Sequence, residues 1–91
     1  MNLTKEQLDL IEKMAYMLFS PSLIAVNLEV DELEFDECVK TPGTDARKAF
    51  YRGFIKQQSE LREALIKSAM NGSNPAQQEL LKLRDKLIQY E

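Results

Sequence analysis

Apolar residues recur every three to four positions along almost the whole chain and no strand pattern competes, so the pattern predicts helices and no strand. Leu8, Ile11, Met14 or Ala15, and Leu18 mark a first helix over about residues 5–18, opened by a Thr4/Gln7 capping box. Ser20 caps a short second helix over about 21–28, with Pro21 in its first turn, where a missing N–H is harmless. Asp31 and Glu34 open a third over about 32–40, which Thr41-Pro42-Gly43 ends. A fourth helix starts from a cap at Thr44 and runs to Met70, where Asn71-Gly72 supplies a left-handed stop. Its stripe is Ala46, Phe50, Phe54, Leu61, Ala64 or Leu65, and Ala69. Gly53 interrupts it at a cost of about 1 kcal/mol relative to alanine, a cost that close helix packing or a bend would compensate. Asn74 and Pro75 open a fifth helix with Leu80, Leu81, Leu83, Leu87 and Ile88 apolar. The expectation is an all-α fold, a single small helical domain over 1–91 of about five helices. It has a helix-turn-helix at about 20–40, then the long fourth helix and the C-terminal helix at about 44–90.

The second and third helices have the apolar spacing of a helix-turn-helix. Ala25 is the small residue needed where the two helices cross, and Ile24, Leu28, Val30, Phe35 and Cys38 supply a little core. Glu29 disagrees, because it takes the turn position where backbone of positive φ favours glycine. The outward residues of the third helix disagree more strongly with DNA reading. "DELEFDE" holds five acids and no base, and Glu32, Glu34, Asp36 and Glu37 would repel phosphates. A solvated acidic face or a docking surface for a basic partner suits them better, and a calcium loop fails for want of a glycine at the tight turn.

Composition narrows the chemistry. The chain has no histidine and one cysteine, Cys38, so it offers no zinc cluster, no His-activated nucleophile and no internal disulfide. It has no GxxxxGK[ST] phosphate loop, and its carboxylates fall on helix faces that should be exposed, so no catalytic residue, metal site or cofactor is expected. The longest apolar runs, "AYMLF" and "LIAV", fall far short of the roughly 20 residues that span a bilayer. With no basic or apolar leader in "MNLTKEQ", a cytoplasmic protein is expected.

The formal charge of -3 hides a division. Residues 1–37 hold nine acids against two bases, a net of -7, whereas residues 38–91 hold ten bases against six acids, a net of +4. Such asymmetry hints at a polyanion partner or at association between unlike faces. The cations gather at the start of the long helix. Lys48, Arg52 and Lys56 lie four apart and so share a face, Arg47 and Tyr51 lie among them, and Lys40 is near in sequence. These six residues are the candidate DNA-binding set, the cations for phosphates and the tyrosine to bond or stack beside the backbone. Charge stripes on long helices are commonly only solvated, which is the plainer reading.

"SPSLIAVNLEVDELEF" followed by "TDARKAFYRGFIKQQSELREALIKSAMNGSNPAQQELL" resembles the N-terminal domain of small terminase subunits from tailed bacteriophages, and related phage helix-turn-helix proteins. In that group an Ala-Tyr-x-x-Gly-like element begins a long helix, a Glu-Leu-Arg-like element continues it, and a Gly-Asn/Ser-Pro-Ala-like corner leads to the last helix. Phe50, Tyr51, Gly53, Glu60, Leu61, Arg62, Ala69, Gly72, Pro75 and Ala76 fit, over about residues 20–84. The resemblance implies a noncatalytic protein of a phage-infected or prophage-carrying bacterium. Such a protein recognises double-stranded viral DNA, forms a homo-oligomeric ring and presents the genome to the large terminase subunit. The chain departs from the group in its acidic second helix-turn-helix element and in lacking, by residue 91, the further oligomerisation and partner-binding region of many relatives.

Two other functions fit the residues. One is an interaction or structural module that uses the helix-turn-helix as scaffold and associates through unlike charges and leftover apolar surface, for which Met14, Met17, Ile55, Ile66, Met70 and Tyr90 are candidates. The other is a phage transcriptional regulator of the same fold.

Overall fold

A computed structural model describes residues 1–90, apart from the side chain of Tyr90, so the expectation of surface at Tyr90 lies outside the described residues. The described residues are all-helical, as the periodicity requires: α1 (Lys5–Tyr16), α2 (Pro21–Leu28), α3 (Glu32–Lys40), α4 (Asp45–Met70) and α5 (Asn74–Tyr90). They divide into two compact units, Met1–Gln57 and Gln58–Glu91, with the boundary inside α4.

In the first unit, α1 to α3 and the start of α4 share one core. Ile11, Met14 and Ala15 come from α1, Ile24 and Ala25 from α2, Phe35 and Val39 from α3, and Ala46 and Ala49 from α4. Phe35, Ile11 and Ile24 are fully buried, each contributing about 1.5–3 kcal/mol of apolar transfer. Leu28, Val30 and Cys38 pack around them, so the apolar positions assigned to α2 and α3 do face inward. Met14 belongs to this core too, and its sulfur accepts from Asn27 Nδ2 at 3.3 Å, which removes it from the leftover surface.

α4 meets α1 through small residues. A Cβ built on Gly53 would overlap the Glu12 carbonyl oxygen and come within 3.1 Å of the Ala15 Cβ. Close packing, and not a bend alone, therefore accounts for a glycine inside a helix. The buried side of α4 here is Ala46, Ala49 and Gly53, with Phe50 half-buried, whereas Phe54 lies at the surface. The expected stripe ran too far toward Phe54, which borders an open groove with Leu18 and Phe19 and so stays in contact with solvent.

The helix ends follow local chemistry. Thr4 and Gln7 form the capping box, with Gln7 N–H donating to Thr4 Oγ1 at 3.1 Å and Thr4 N–H to Gln7 Oε1 at 2.9 Å. Ser20 Oγ accepts from Leu23 N–H, and Asp31 Oδ1 from Glu34 N–H at 2.8 Å. α1 stops at Tyr16, two residues short of expectation. Leu18 turns to φ 67 and its N–H donates to Ala15 O, while Phe19 N–H donates to Met14 O, which together form a Schellman stop. Leu18 is thereby carried out of the core to the surface.

Glu29 closes α2 by the same device, at φ 59, with Val30 N–H donating to Ala25 O at 3.1 Å. The glycine-type conformation is kept although the residue is glutamate, at a cost of roughly 1–2 kcal/mol for an L-residue. Glu29→Gly should therefore raise stability, by about 0.5–1 kcal/mol after allowing for the greater freedom of glycine in the unfolded chain. A denaturant melt tests this, and a loss of stability would mean that the Glu29 side chain holds the turn by a contact of its own.

The second unit is a helical hairpin made of the end of α4 and α5. Gly72 takes φ 94, its N–H donates to Ala69 O, and Ser73 N–H donates to Ser68 O, which gives the expected left-handed stop. Ser73 caps α5 by accepting from Ala76 N–H, so Asn74 lies inside the helix and is not its cap. Gln77 Nε2 donates to Ala69 O at 3.0 Å across the corner. Of the hairpin's described residues, only Ala69 and Ala76 are buried; Leu65, Leu80 and Leu83 are half-buried, and Leu61, Leu81, Leu87 and Ile88 are exposed against expectation.

Candidate nucleic-acid interface

The corner between α3 and α4 sets the position of the cationic residues. Thr44 Oγ1 donates to Cys38 O at 2.5 Å and accepts from Arg47 N–H at 3.2 Å, so one hydroxyl ties the end of α3 to the start of α4. Arg47 Nη1 donates to Val39 O at 3.0 Å, and its guanidinium carbon lies 4.7 Å from the centre of the Tyr51 ring. Half-buried and held in this way, Arg47 serves as a clamp on the Val39 carbonyl near the end of α3. Tyr51 stands edge-on to both Phe50 and Phe54, with ring centres 5.4 and 6.4 Å away.

The other cations are exposed and differ in their partners. Lys40 Nζ lies 2.7 Å from Asp36 Oδ2 one turn earlier in α3, and the hydrogen bond and charge of that carboxylate raise the lysine above its ordinary value of 10.5. Any stabilisation from this pair is in place below that value and lost only as pH rises through the raised one, so neutral pH leaves it intact. Arg52 Nε stands 3.8 Å from Glu12 Oε1 of α1, with 70% of its side chain in solvent, a loose surface pair of little energetic weight. Among the described residues neither Lys48 nor Lys56 forms an ion pair.

The six residues expected to meet DNA therefore form no single patch. Lys48 and Arg52 border one depression with Leu8, Asp9, Glu12, Asp45 and Ala49, while Tyr51 lines a separate groove with Ala15, Leu18, Phe19, Ser20, Phe50 and Phe54. Lys40 belongs to α3 and its own carboxylate. What remains as an accessible cationic feature is the row Lys48, Arg52 and Lys56, spaced about 6 Å apart along α4, beside the acids Asp9, Glu12 and Asp45. Such a row can hold phosphate oxygens as point charges but carries no groups placed to read bases.

Two surfaces escaped the sequence reading. Leu33 is 79% exposed among Glu32, Glu34 and Glu37 on the outward side of α3. The signal was a leucine out of phase with Phe35, Cys38 and Val39. The groove beside Tyr51, about 420 Å³ and apolar, could not be foreseen, because it depends on the left-handed turn at Leu18 that brings Leu18 and Phe19 beside α4.

No trio of His, Cys, Asp or Glu among the described residues could hold a metal ion, and no helix among them is long and apolar enough to cross a membrane. Comparison with known proteins finds no matching family model, no matching curated protein and no matching solved structure.

Proposed function

We propose that the chain is a phage-type DNA-binding adaptor, similar in role to a small terminase subunit, that grips duplex phosphates with Lys48, Arg52 and Lys56. The observation that carries this reading is the exposed row of three cations one turn apart on α4, two of them without an ion-pair partner among the described residues. The succession of α2, a three-residue turn, α3, the long α4 and the Gly72–Pro75 corner into α5 fits the order of elements in that group. On this reading α2 and α3 are a helix-turn-helix kept as scaffold. Its acidic outer face points away from the duplex, and Arg47 contributes by fixing α4 and not by touching DNA.

The test is binding of a fluorescent duplex by wild type and by the Lys48→Glu/Arg52→Glu/Lys56→Glu variant at several salt concentrations. Arg47 is left intact because replacing it would loosen the α3–α4 corner. Three lost phosphate contacts should lower affinity at about 50 mM salt by a hundredfold or more and reduce the salt slope by about 2 to 3. Unchanged affinity and slope would exclude the row.

One observation favours a second reading, an interaction module that binds a basic protein through α3. Leu33 is the most exposed residue of its type among the large hydrophobics of the first unit, and it stands among carboxylates. Under that reading Leu33→Lys abolishes partner binding and leaves any duplex affinity unreduced.

A further inference from the structure

The aromatic side chains of this protein are gathered in one place. Of its four phenylalanines and three tyrosines, Phe19, Phe50, Tyr51 and Phe54 all line the apolar groove of about 420 Å³ between the turn after α1 and α4. Phe19, Tyr51 and Phe54 keep 38% to 40% of their surface in solvent. Phe19 reaches the groove through the left-handed turn at Leu18, a backbone state that a leucine seldom takes. The Arg47 guanidinium lies over the Tyr51 ring, and the rings of Phe50 and Phe54 stand nearly perpendicular to it, so the tyrosine is fixed and the cluster is ordered.

The cationic row runs alongside. Lys48 and Tyr51 are three residues apart on α4, as are Arg52 and the exposed Ile55, so cations and apolar residues form adjoining columns on one helix. The acids Asp9, Glu12 and Asp45 stand beside Lys48 and Arg52 in the depression that those two border, and Tyr51 and Phe54 do not line it. Their charge repels phosphate from that flank and leaves the aromatic flank open to it.

We infer that the row and the groove together bind single-stranded nucleic acid, with phosphates along Lys48, Arg52 and Lys56 and unpaired bases against Phe19 and Phe54. A cationic track with aromatic faces beside it suits a flexible strand whose bases expose their own faces. The groove also has the size of sites that enclose a small organic group, roughly 300–1,000 Å³. A duplex gains nothing from the rings, because its bases already stack on one another, and its second strand brings more phosphates toward the three acids. The inference rests on the reading of the row as a phosphate grip and adds to it a preference for unpaired strands.

The test is binding of fluorescent oligo(dT), and of a duplex of equal length, at about 50 mM salt, by wild type, Phe19→Leu/Phe54→Leu and Lys48→Glu/Arg52→Glu/Lys56→Glu. Leucine keeps apolar bulk at two partly exposed positions and removes the ring face, and circular dichroism checks that the helices persist. Wild type should bind oligo(dT) more tightly than the duplex. The leucine variant should lose about tenfold or more on oligo(dT) and nothing on the duplex, while the charge variant loses affinity for both. Phe54→Trp should bind as wild type does, and its fluorescence, that of the sole tryptophan in the chain, should be quenched by the bound strand. Oligo(dT) affinity no higher than that for the duplex, unchanged in the leucine variant, or lost there equally on both ligands, overturns the inference and leaves the duplex reading standing. Ring-dependent binding of oligo(dT) with no duplex binding retains the inference and removes the duplex reading, and binding of neither ligand removes both.

Discussion

Gly53→Ala should destabilise the protein by about 3 kcal/mol, although alanine is the better helix former by about 1 kcal/mol. The added methyl has no room, because the atom it meets is the Glu12 carbonyl oxygen, part of the α1 backbone and unable to swing aside. Relief requires α1 and α4 to separate along their crossing, and that opens the packing of Ile11, Ala15 and Ala49 together. A small domain has only about 5–15 kcal/mol of stability in all, and 1 kcal/mol moves its midpoint by roughly 4–8 °C, so the variant should melt roughly 12–24 °C lower. Thermal unfolding followed by circular dichroism is the measurement. A midpoint equal to or above wild type would show that propensity governs the position and that the helices are not in contact there. Gly43 and Gly72 are useful controls, since neither has a neighbour that a Cβ would meet and any cost there comes from positive φ.

The second large effect is expected at Phe35→Ala, with a loss of about 3–5 kcal/mol. Phe35 is fully buried and is the largest such side chain, lying in the one core that α1, α2, α3 and the start of α4 share. Its neighbours are held from several directions by caps and by the Thr44 and Arg47 bonds, so the vacated volume can collapse only in part. Leu33→Ala, two residues earlier in the same helix, should cost no more than a few tenths of a kcal/mol, because that side chain is largely in solvent already. The pair of denaturant melts separates burial from helix propensity. Similar losses at both positions would contradict the inward placement of Phe35. If Phe35→Ala also lowers duplex affinity while Leu33→Ala does not, the corner that orients the cationic row is transmitting the damage.

The acidic outer face of α3 and the cationic row of α4 together bear on how such a fold could meet a polyanion. A helix with four outward carboxylates within two turns repels phosphate over the whole Debye length of about 8–10 Å. The α4 row must therefore approach a duplex with α3 turned away, and binding through it should be weak, steeply salt-dependent and indifferent to base sequence.

The helices of this protein are fixed by local chemistry that the sequence displays. Thr4, Ser20, Asp31 and Thr44 can each offer a side-chain oxygen to a free backbone amide, Gly72 can take the left-handed corner, and the period of Ile24, Ala25, Leu28, Phe35 and Cys38 permits only one inward face. Even the requirement for a glycine-like turn at Glu29 was legible, since it follows from the spacing of the flanking helices. The tertiary structure decided what periodicity cannot. Tyr51 was set apart from Lys48 and Arg52 because the lysine and arginine lie beside Leu8, Asp9 and Glu12 of α1 while the tyrosine lies beside Leu18 and Phe19 after it, and Arg47 is turned to the Val39 carbonyl. Glu12 came within reach of Arg52 because α1 and α4 cross closely at Gly53. Leu61, Leu87 and Ile88 have the spacing of core residues yet remain in solvent, since the hairpin has no third helix within its own unit to cover them. A sequence states which residues need burial. Which neighbour supplies it, and which charges meet, depends on helix crossings fixed by side-chain volumes far apart along the chain.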